Sequence, residues 1–134
     1  MTVVYYEDDA DIRVLQGKTI GVIGYGSLGR PVALNLRDSG LDVLVGLEDD
    51  ESFAIVDADH VRHTSIGRDA RESSVILMMV PDEVMPQVYL ERVSPHLSKG
   101  DTLIFASGYN VAFGYIEPPP FIDVGMVAPR TIGA

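Results

Sequence analysis

The stretch Lys18-Thr-Ile-Gly-Val-Ile-Gly-Tyr-Gly-Ser-Leu-Gly29 decides how this chain folds. A β-branched run, residues 19–23, leads directly into Gly24, Gly26 and Gly29, which have the spacing G-x-G-x-x-G. The first glycine permits a sharp turn off a strand, the second lets the backbone approach a pyrophosphate, and the third lets a helix pack closely on the sheet. The stretch therefore predicts a strand, a tight turn and a helix whose N-terminal N–H groups bind a diphosphate.

The residues that follow have the order that this interpretation requires. Apolar residues recur at helical spacing (Leu28, Val32 and Leu36), Gly40 provides a stop, and residues 41–47 form a second β run. An ordinary tight turn between a strand and a helix can carry the same three glycines. The strand–helix–strand context favours a dinucleotide-binding βαβ unit over that alternative.

A run of four carboxylates, Glu48-Asp49-Asp50-Glu51, follows the second predicted strand. In a dinucleotide-binding fold, an acidic residue about twenty positions after the glycines accepts hydrogen bonds from the 2′-hydroxyl of the adenosine ribose. Glu48 stands at that place. Since carboxylates repel a 2′-phosphate, the run predicts that the chain binds NAD(H) in preference to NADP(H). The alternative is an exposed acidic loop with no role in binding.

Further strands are predicted at residues 61–64, 74–80, 102–106 and 121–128. The apolar run 74–80 is long enough to be the doubly buried centre of a parallel sheet, and Pro81, Asp82 and Glu83 follow it at the edge where such sheets bind ligands. Helical segments are predicted between the strands, at residues 53–59, 65–71 and 84–97, the last with Val84, Val88 and Val93 facing inward. The fold class is α/β, a Rossmann-like, doubly wound and mainly parallel sheet of about six strands with helices on both faces.

Composition limits the function further. The chain has 134 residues, 46% of them hydrophobic, which predicts a single domain, residues 1–134, with residues 1–17 as a lead-in segment. A net charge of −10 argues against nucleic acid as a partner. The chain has no cysteine, no apolar run of membrane-spanning length and an acidic N-terminal segment, so we expect a cytoplasmic protein with no membrane partner.

Two histidines, His60 and His63, lie close to Asp57 and Asp59 in the sequence. A spacing of three suits metal ligands on one helix face, but the flanking residues indicate a loop and a strand. Surface histidines are therefore the better interpretation, and no metal site is predicted.

Several short motifs in one order resemble the N-terminal domain of ketol-acid reductoisomerase, the acetohydroxyacid isomeroreductase of branched-chain amino-acid biosynthesis. The similarity covers nearly the whole chain. It rests on Tyr5-Tyr6 with the acidic residues after it, Gln16-Gly17-Lys18, Gly24-Tyr25-Gly26-Ser27, the segment 33–40, Val45-Gly46-Leu47, Pro81-Asp82-Glu83-Val84 and Met126-Val127-Ala128-Pro129.

The resemblance implies an oxidoreductase cofactor domain that binds a nicotinamide dinucleotide, NADP(H) or less often NAD(H). In that family a separate helical domain supplies carboxylates that hold Mg²⁺, and the enzyme converts a 2-acetohydroxy acid by alkyl migration and reduction. Carried over to this chain, the cofactor-binding positions are Tyr25, Gly26, Ser27, Leu28, Glu48, Ser52, Asp82, Glu83, Val84, Met85 and Gly133.

Three departures from the family bear on activity. Glu48 replaces the arginine that usually binds a 2′-phosphate, Ser107 replaces the catalytic histidine, and the segment 130–134 replaces Lys-Gly-Pro-Gly-His. A serine without an activating base cannot replace an imidazole in proton transfer near neutral pH. The metal-binding domain has no counterpart here, so Mg²⁺ is expected only if another domain supplies its ligands.

Two functions remain open from the sequence. The chain is either the cofactor domain of a reductoisomerase-like protein, inactive alone, or a non-catalytic NAD(H)-binding sensor or scaffold derived from that family. In the family the domain continues with more sheet, so an apolar patch is expected to lie bare on this chain. The expected protein partner is therefore a second copy of the chain, in a homodimer, or a separate helical domain.

Overall fold

The computed structural model describes residues 1–48 and 51–129. Asp49, Asp50 and the predicted cofactor position Gly133 lie outside the described residues, as does the rest of the segment 130–134.

Within the described residues, six parallel strands form one sheet. Their order is β3-β2-β1-β4-β5-β6, which confirms the predicted Rossmann-like fold class. The strands are β1 (Thr19–Ile23), β2 (Asp42–Leu47), β3 (His63–Ser65), β4 (Val75–Met78), β5 (Thr102–Phe105) and β6 (Asp123–Met126). The chain order reverses between β1 and β4, which lie side by side at the centre. In open α/β sheets, ligands bind at the carboxyl ends of the strands beside such a reversal.

Helices cover both faces of the sheet, and each face has its own apolar core. The helices are α1 (Gly29–Asp38), α2 (Ser52–Ala58), α3 (Ile66–Glu72), α4 (Met85–Val88) and the short α5 (Tyr109–Ala112). One core joins Ala33 of α1 and Val56 of α2 to Val22 and Val45 of the sheet. The other joins α3 and α4 to the opposite face of β1, β4 and β5, and contains the fully buried Phe105.

The predicted helix 84–97 differs from the structure in its start and its form. Helix α4 begins at Met85, continues as a wider π turn (Tyr89–Val93) and ends in a 3₁₀ turn (Ser94–His96). Pro86 has no N–H to donate, so it fits only in the first turn, which fixes the start of the helix. Val84 therefore precedes the helix and is 47% exposed, whereas the predicted Val93 is fully buried. The prediction that Val84 faces inward was therefore wrong.

Both ends of the described chain contain less strand structure than the sequence suggests. Strand β6 has four residues rather than the eight of 121–128, and its Val124 and Met126 are exposed. In the lead-in, residues 3–6 form no strand, and two 3₁₀ turns follow them (Glu7–Asp9 and Ile12–Leu15). No helix in the described ranges has the length and apolar character needed to cross a bilayer.

Candidate functional site

A cleft of about 510 Å³ opens at the carboxyl ends of β1, β2, β4 and β5, a volume typical of small-molecule sites. The turns after these four strands supply most of its wall, and α2, α3 and α4 supply the rest. It is lined by Gly24, Tyr25, Gly26, Ser27, Leu28, Gly46, Leu47, Glu48, Ser52, Ile66, Met78, Met79, Val80, Pro81, Asp82, Met85, Val88, Ala106 and Ser107.

The glycine-rich turn has the tight geometry that its sequence predicts. Gly24 has φ +100°, a conformation that side chains disfavour, and its N–H donates to the Gly46 oxygen of the neighbouring strand at 3.0 Å. A Cβ on Gly29 would collide with the backbone oxygen of Gly24. The third glycine is therefore required for α1 to start this close to β1.

Gly26 is different, because the space beside it is open. A Cβ placed there would meet no atom of the described residues within 4 Å beyond its two chain neighbours, although the residue lies in the wall of the cleft. The ten-residue helix α1 starts just beyond it, and the first N–H groups of a helix have no partner within the helix. An uncrowded backbone beside a positive helix end fits the diphosphate of a dinucleotide.

The ring of Tyr25 is buried in the core under α1 and α2, so this residue lines the cleft without extending its ring into it. Its hydroxyl donates to Asp59 Oδ2 at 2.9 Å, and Arg30 Nε donates to the same oxygen at 2.7 Å. Burial, with the Asp59 carboxylate as the next cause, raises the pKa of Tyr25 to about 12. The Arg30 guanidinium, helped by the Tyr25 hydroxyl, lowers the pKa of Asp59 to about 2. Together these bonds tie the glycine-rich turn to the end of α2.

Replacing Tyr25 by phenylalanine removes the bond to Asp59 and leaves the ring in the core. We expect the free energy of unfolding to fall by about 1 kcal/mol, the usual net value of one such hydrogen bond, because Arg30 still pairs with Asp59. Urea denaturation measures this change. Tyr89→Phe is the comparison variant, since the Tyr89 hydroxyl donates to the Glu117 oxygen over a longer distance, 3.4 Å, and also interacts with Ser94. A Tyr25 variant no less stable than this comparison variant would contradict the role of the Asp59 bond.

Glu48 lies at the end of the cleft formed by β2, as the spacing from the glycines predicts, and Ser52 of α2 lines the same wall. The Glu48 side chain is 49% exposed, and its Oε1 lies 3.7 Å from Nε of Arg92. The apolar residues Leu47 and Ile66 line the cleft near Glu48. They come together because Leu47 pairs with Ser65 in the sheet, and Ile66 is the next residue after Ser65. A carboxylate can accept hydrogen bonds from the hydroxyls of a ribose, and the apolar surface next to it can contact the attached base.

At the opposite end, the turns after β4 and β5 are hydrogen-bonded to each other. The Ser107 hydroxyl donates to Asp82 Oδ2 at 3.1 Å, and Asn110 Nδ2 donates to the Asp82 backbone oxygen at 3.1 Å. The Ser107 oxygen also accepts from the Tyr109 N–H at 3.3 Å. Ser107 is thus held beside a carboxylate, and no histidine lies in the lining of the cleft.

Two predicted cofactor positions, Glu83 and Val84, lie outside the cleft. The Val84 and Met85 N–H groups both donate to the Pro81 oxygen, and this turn directs Met85 into the wall. Glu83 instead lines a separate depression beside Tyr109 and Tyr115.

Several residues that line the cleft were not predicted from the sequence. Two of them, Gly46 and Leu47, stand at the end of a predicted strand, and that position alone could have identified them. Ile66 and Val88 gave no comparable signal, because an apolar residue on a helix is equally expected in the core. The others are Met78, Met79, Val80 and Ala106.

The histidines that raised the question of a metal site lie away from the cleft. His63 is half-buried and its Nε2 lies 2.8 Å from Asp57 Oδ1, whereas His60 is exposed. Within residues 1–48 and 51–129, no group of three or more side chains capable of holding a metal ion comes together.

Known proteins are similar to this chain in sequence and fold. Residues 14–134 match the family described as acetohydroxy acid isomeroreductase, NADPH-binding domain. The chain is 47% and 46% identical over 134 residues to the ketol-acid reductoisomerases (NADP(+)) of Kocuria rhizophila and Renibacterium salmoninarum. The solved NADH-preferring ketol-acid reductoisomerase from an uncultured archean is 34% identical, with a TM-score of 0.93 over 98% of this chain. The alignments cover 39% of each bacterial relative and 42% of the archaeal chain.

Proposed function

The chain belongs to the acetohydroxy acid isomeroreductase family, as its NADPH-binding domain, and we propose that it holds a nicotinamide dinucleotide in the cleft at the carboxyl ends of β1, β2, β4 and β5. In this proposal residues 1–134 act as one cofactor domain, with residues 1–17 as a lead-in. The observation that carries the proposal is the open space beside Gly26, at the start of α1 and inside the cleft. A diphosphate needs that space and the backbone N–H groups around it.

The two ends of the cleft differ in chemistry, which gives the dinucleotide a direction. Glu48 would accept hydrogen bonds from the adenosine ribose hydroxyls, with Leu47 and Ile66 beside the base. The nicotinamide half would then lie toward Asp82 and Ser107. When bound, the cofactor supplies a hydride, and the residues of this chain position it and exclude water from its apolar side.

Selectivity for NAD(H) over NADP(H) is the finer part of the proposal. Glu48 supports it, because a carboxylate at the ribose repels a 2′-phosphate. The relatives differ in this property: the two bacterial enzymes carry NADP(+) in their names, and the archaeal enzyme is described as NADH-preferring. Direct measurement on this chain is the test.

We expect NADH to bind the purified chain about tenfold more tightly than NADPH, which corresponds to roughly 1.4 kcal/mol. Calorimetry or fluorescence titration of both cofactors under the same salt conditions measures the two dissociation constants. The Glu48→Gln variant is the control and should reduce the difference, because it removes the charge and keeps the shape of the side chain. Equal or reversed affinities in the unsubstituted chain would refute the selectivity proposal.

Catalysis by this chain alone is not proposed. Ser107 stands where the family has a catalytic histidine, and its hydroxyl is engaged with Asp82 rather than with a base able to activate it. The chain also spans about two-fifths of the length of its relatives, so a helical domain or a second copy is the proposed protein partner. An assay with a 2-acetohydroxy acid, NADH and Mg²⁺ tests this point, and turnover by the chain alone would contradict it.

The alternative function, a non-catalytic sensor or scaffold, is not favoured. Its support was the replacement at Ser107 and the altered segment 130–134. The similarity to reductoisomerases extends over 98% to 99% of the chain, which favours a cofactor domain of that enzyme type.

A further inference from the structure

Arg92 brings a positive charge to the ribose end of the cleft from a different part of the chain. Its Nε lies 3.7 Å from Oε1 of Glu48. That distance is longer than a hydrogen bond, so the two groups form an ion pair without a direct bond. Both side chains are about half exposed, 55% for Arg92 and 49% for Glu48, so water and salt weaken their attraction. The guanidinium can therefore move to a better partner at small cost.

The backbone of Arg92 is held in place although its side chain is exposed. Arg92 belongs to the π turn after α4, whose Tyr89 and Val93 are buried in the core. This segment packs against α3 at Gly67, where an added Cβ would lie 3.6 Å from the Arg92 backbone oxygen and 3.0 Å from His96 Nε2. Since α3 begins directly after β3, next to the end of β2, this packing brings Arg92 close to Glu48.

A guanidinium next to a selectivity carboxylate has opposite effects on the two cofactors. With NAD(H), it stays with Glu48 and competes weakly with the ribose hydroxyl for the carboxylate. With NADP(H), it can donate to the 2′-phosphate in the fork geometry that arginine makes with phosphate, and it also offsets the charge of Glu48.

We propose that Arg92 is a second selectivity residue, which pairs with Glu48 when the ribose carries a 2′-hydroxyl and with the phosphate when it carries a 2′-phosphate. This inference rests on the proposed cofactor function of the cleft. It makes the preference for NAD(H) moderate rather than absolute, because the carboxylate that rejects NADP(H) lies beside a group that accepts it.

The test is the Arg92→Gln variant, titrated with NADH and with NADPH by calorimetry. We expect NADPH to bind about tenfold more weakly, the effect of losing one charge-assisted contact. NADH should change by less than about threefold, the range for an exposed ion pair. NADPH affinity should also depend less on salt in the variant than in the unsubstituted chain, because one phosphate contact is gone.

Arg68→Gln is the matched control. Arg68 is an exposed arginine of α3 that pairs with Glu72 at 2.6 Å, whereas Arg92 pairs with Glu48. Arg68→Gln removes the same charge from the same chain and should leave the ratio of the two affinities unchanged. The double variant Glu48→Gln, Arg92→Gln should show non-additive effects on NADH, since each residue acts on the other.

The possible results separate this inference from the proposed function. If the unsubstituted chain binds NADH but not NADPH, or if Arg92→Gln weakens both equally, the role of Arg92 is wrong and the cofactor site stands. If it binds neither cofactor, the proposed function fails, and the role of Arg92 fails with it. If Arg68→Gln changes the ratio of the NADH and NADPH affinities as much as Arg92→Gln does, the change is a general effect of charge, and the inference is overturned.

Discussion

Replacing Gly26 by valine is expected to abolish nicotinamide dinucleotide binding and to leave the fold intact. Among the described residues, apart from the neighbours Tyr25 and Ser27, no atom lies within 4 Å of the position where a Cβ would be, so the larger side chain has room on the cleft side. It would instead occupy the space proposed for the diphosphate and block the approach of the phosphate oxygens to the backbone N–H groups. We expect a loss of at least about a hundredfold in affinity for NADH, or roughly 2.7 kcal/mol.

Calorimetric titration of NADH into both proteins measures this loss, and thermal unfolding of the two ligand-free proteins verifies that the fold is retained. Gly26→Ala is a graded control, since a single methyl group should reduce affinity less than valine does. Gly29→Ala should behave differently and destabilise the protein, because its Cβ would collide with the Gly24 oxygen. A Gly26→Val protein that binds NADH normally would show that the diphosphate lies elsewhere.

The stability of the protein is expected to decrease as the pH rises from 5 to 8, because of Asp69. This residue of α3 is fully buried and faces Gly21 and Gly46 of the sheet, with its carboxyl oxygen Oδ2 making at most a weak bond to the Gly46 backbone. Ser73 donates its hydroxyl to the other oxygen at 2.5 Å. Burial outweighs that bond and raises the pKa of Asp69 to about 7.

The direction follows from proton binding. The folded state keeps the Asp69 proton up to about pH 7, whereas the unfolded state loses it near pH 4, so the stabilisation present at low pH is lost as the pH rises through 7. The expected loss in the free energy of unfolding is about 2 to 3 kcal/mol between pH 5 and pH 8. The lowered pKa of Asp59 acts in the opposite direction, but only as the pH falls below about 4, outside this window.

Urea denaturation at several pH values measures this dependence. The Asp69→Asn variant keeps the size of the side chain and cannot ionise, so its stability should change much less between pH 5 and pH 8. The prediction is wrong if the unsubstituted chain has a flat profile, or if the asparagine variant retains the full slope.

Local sequence signals predicted the first half of the fold well. Strand 19–23 has the predicted bounds and strand 42–47 begins one residue after the predicted run 41–47, because β-branched runs beside glycines leave few other conformations. Helix α1 begins only at Gly29, since residues 24–28 are needed for the turn itself. The predicted helix 65–71 corresponds to α3, which begins at Ile66 and is capped by the Ser65 hydroxyl accepting from the Arg68 N–H.

The parts that sequence could not predict depend on contacts between distant residues. Nothing near Asp69 in the sequence shows that two glycines of the sheet leave room for its carboxyl group. The pairing of Glu48 with Arg92 likewise arises only once the π turn after α4 packs against α3. Glu83 and Val84 carry the family motif, yet a turn at Pro81 turns them away from the cleft. Residue type predicts the chemistry of a site, but packing decides which residues reach it.

The all-parallel sheet has a consequence for the order in which this protein can fold during synthesis. Parallel neighbours cannot be joined by a hairpin, so every pairing must close a long loop. The glycine-rich turn leaves the ribosome early, but its strand needs β4 on one side, and β4 is made much later. Until β4 is made, the growing chain has only half of the sheet, and the apolar side chains and the unpaired edge of β1 are exposed to water. Chaperones and proteases can bind the chain at this stage.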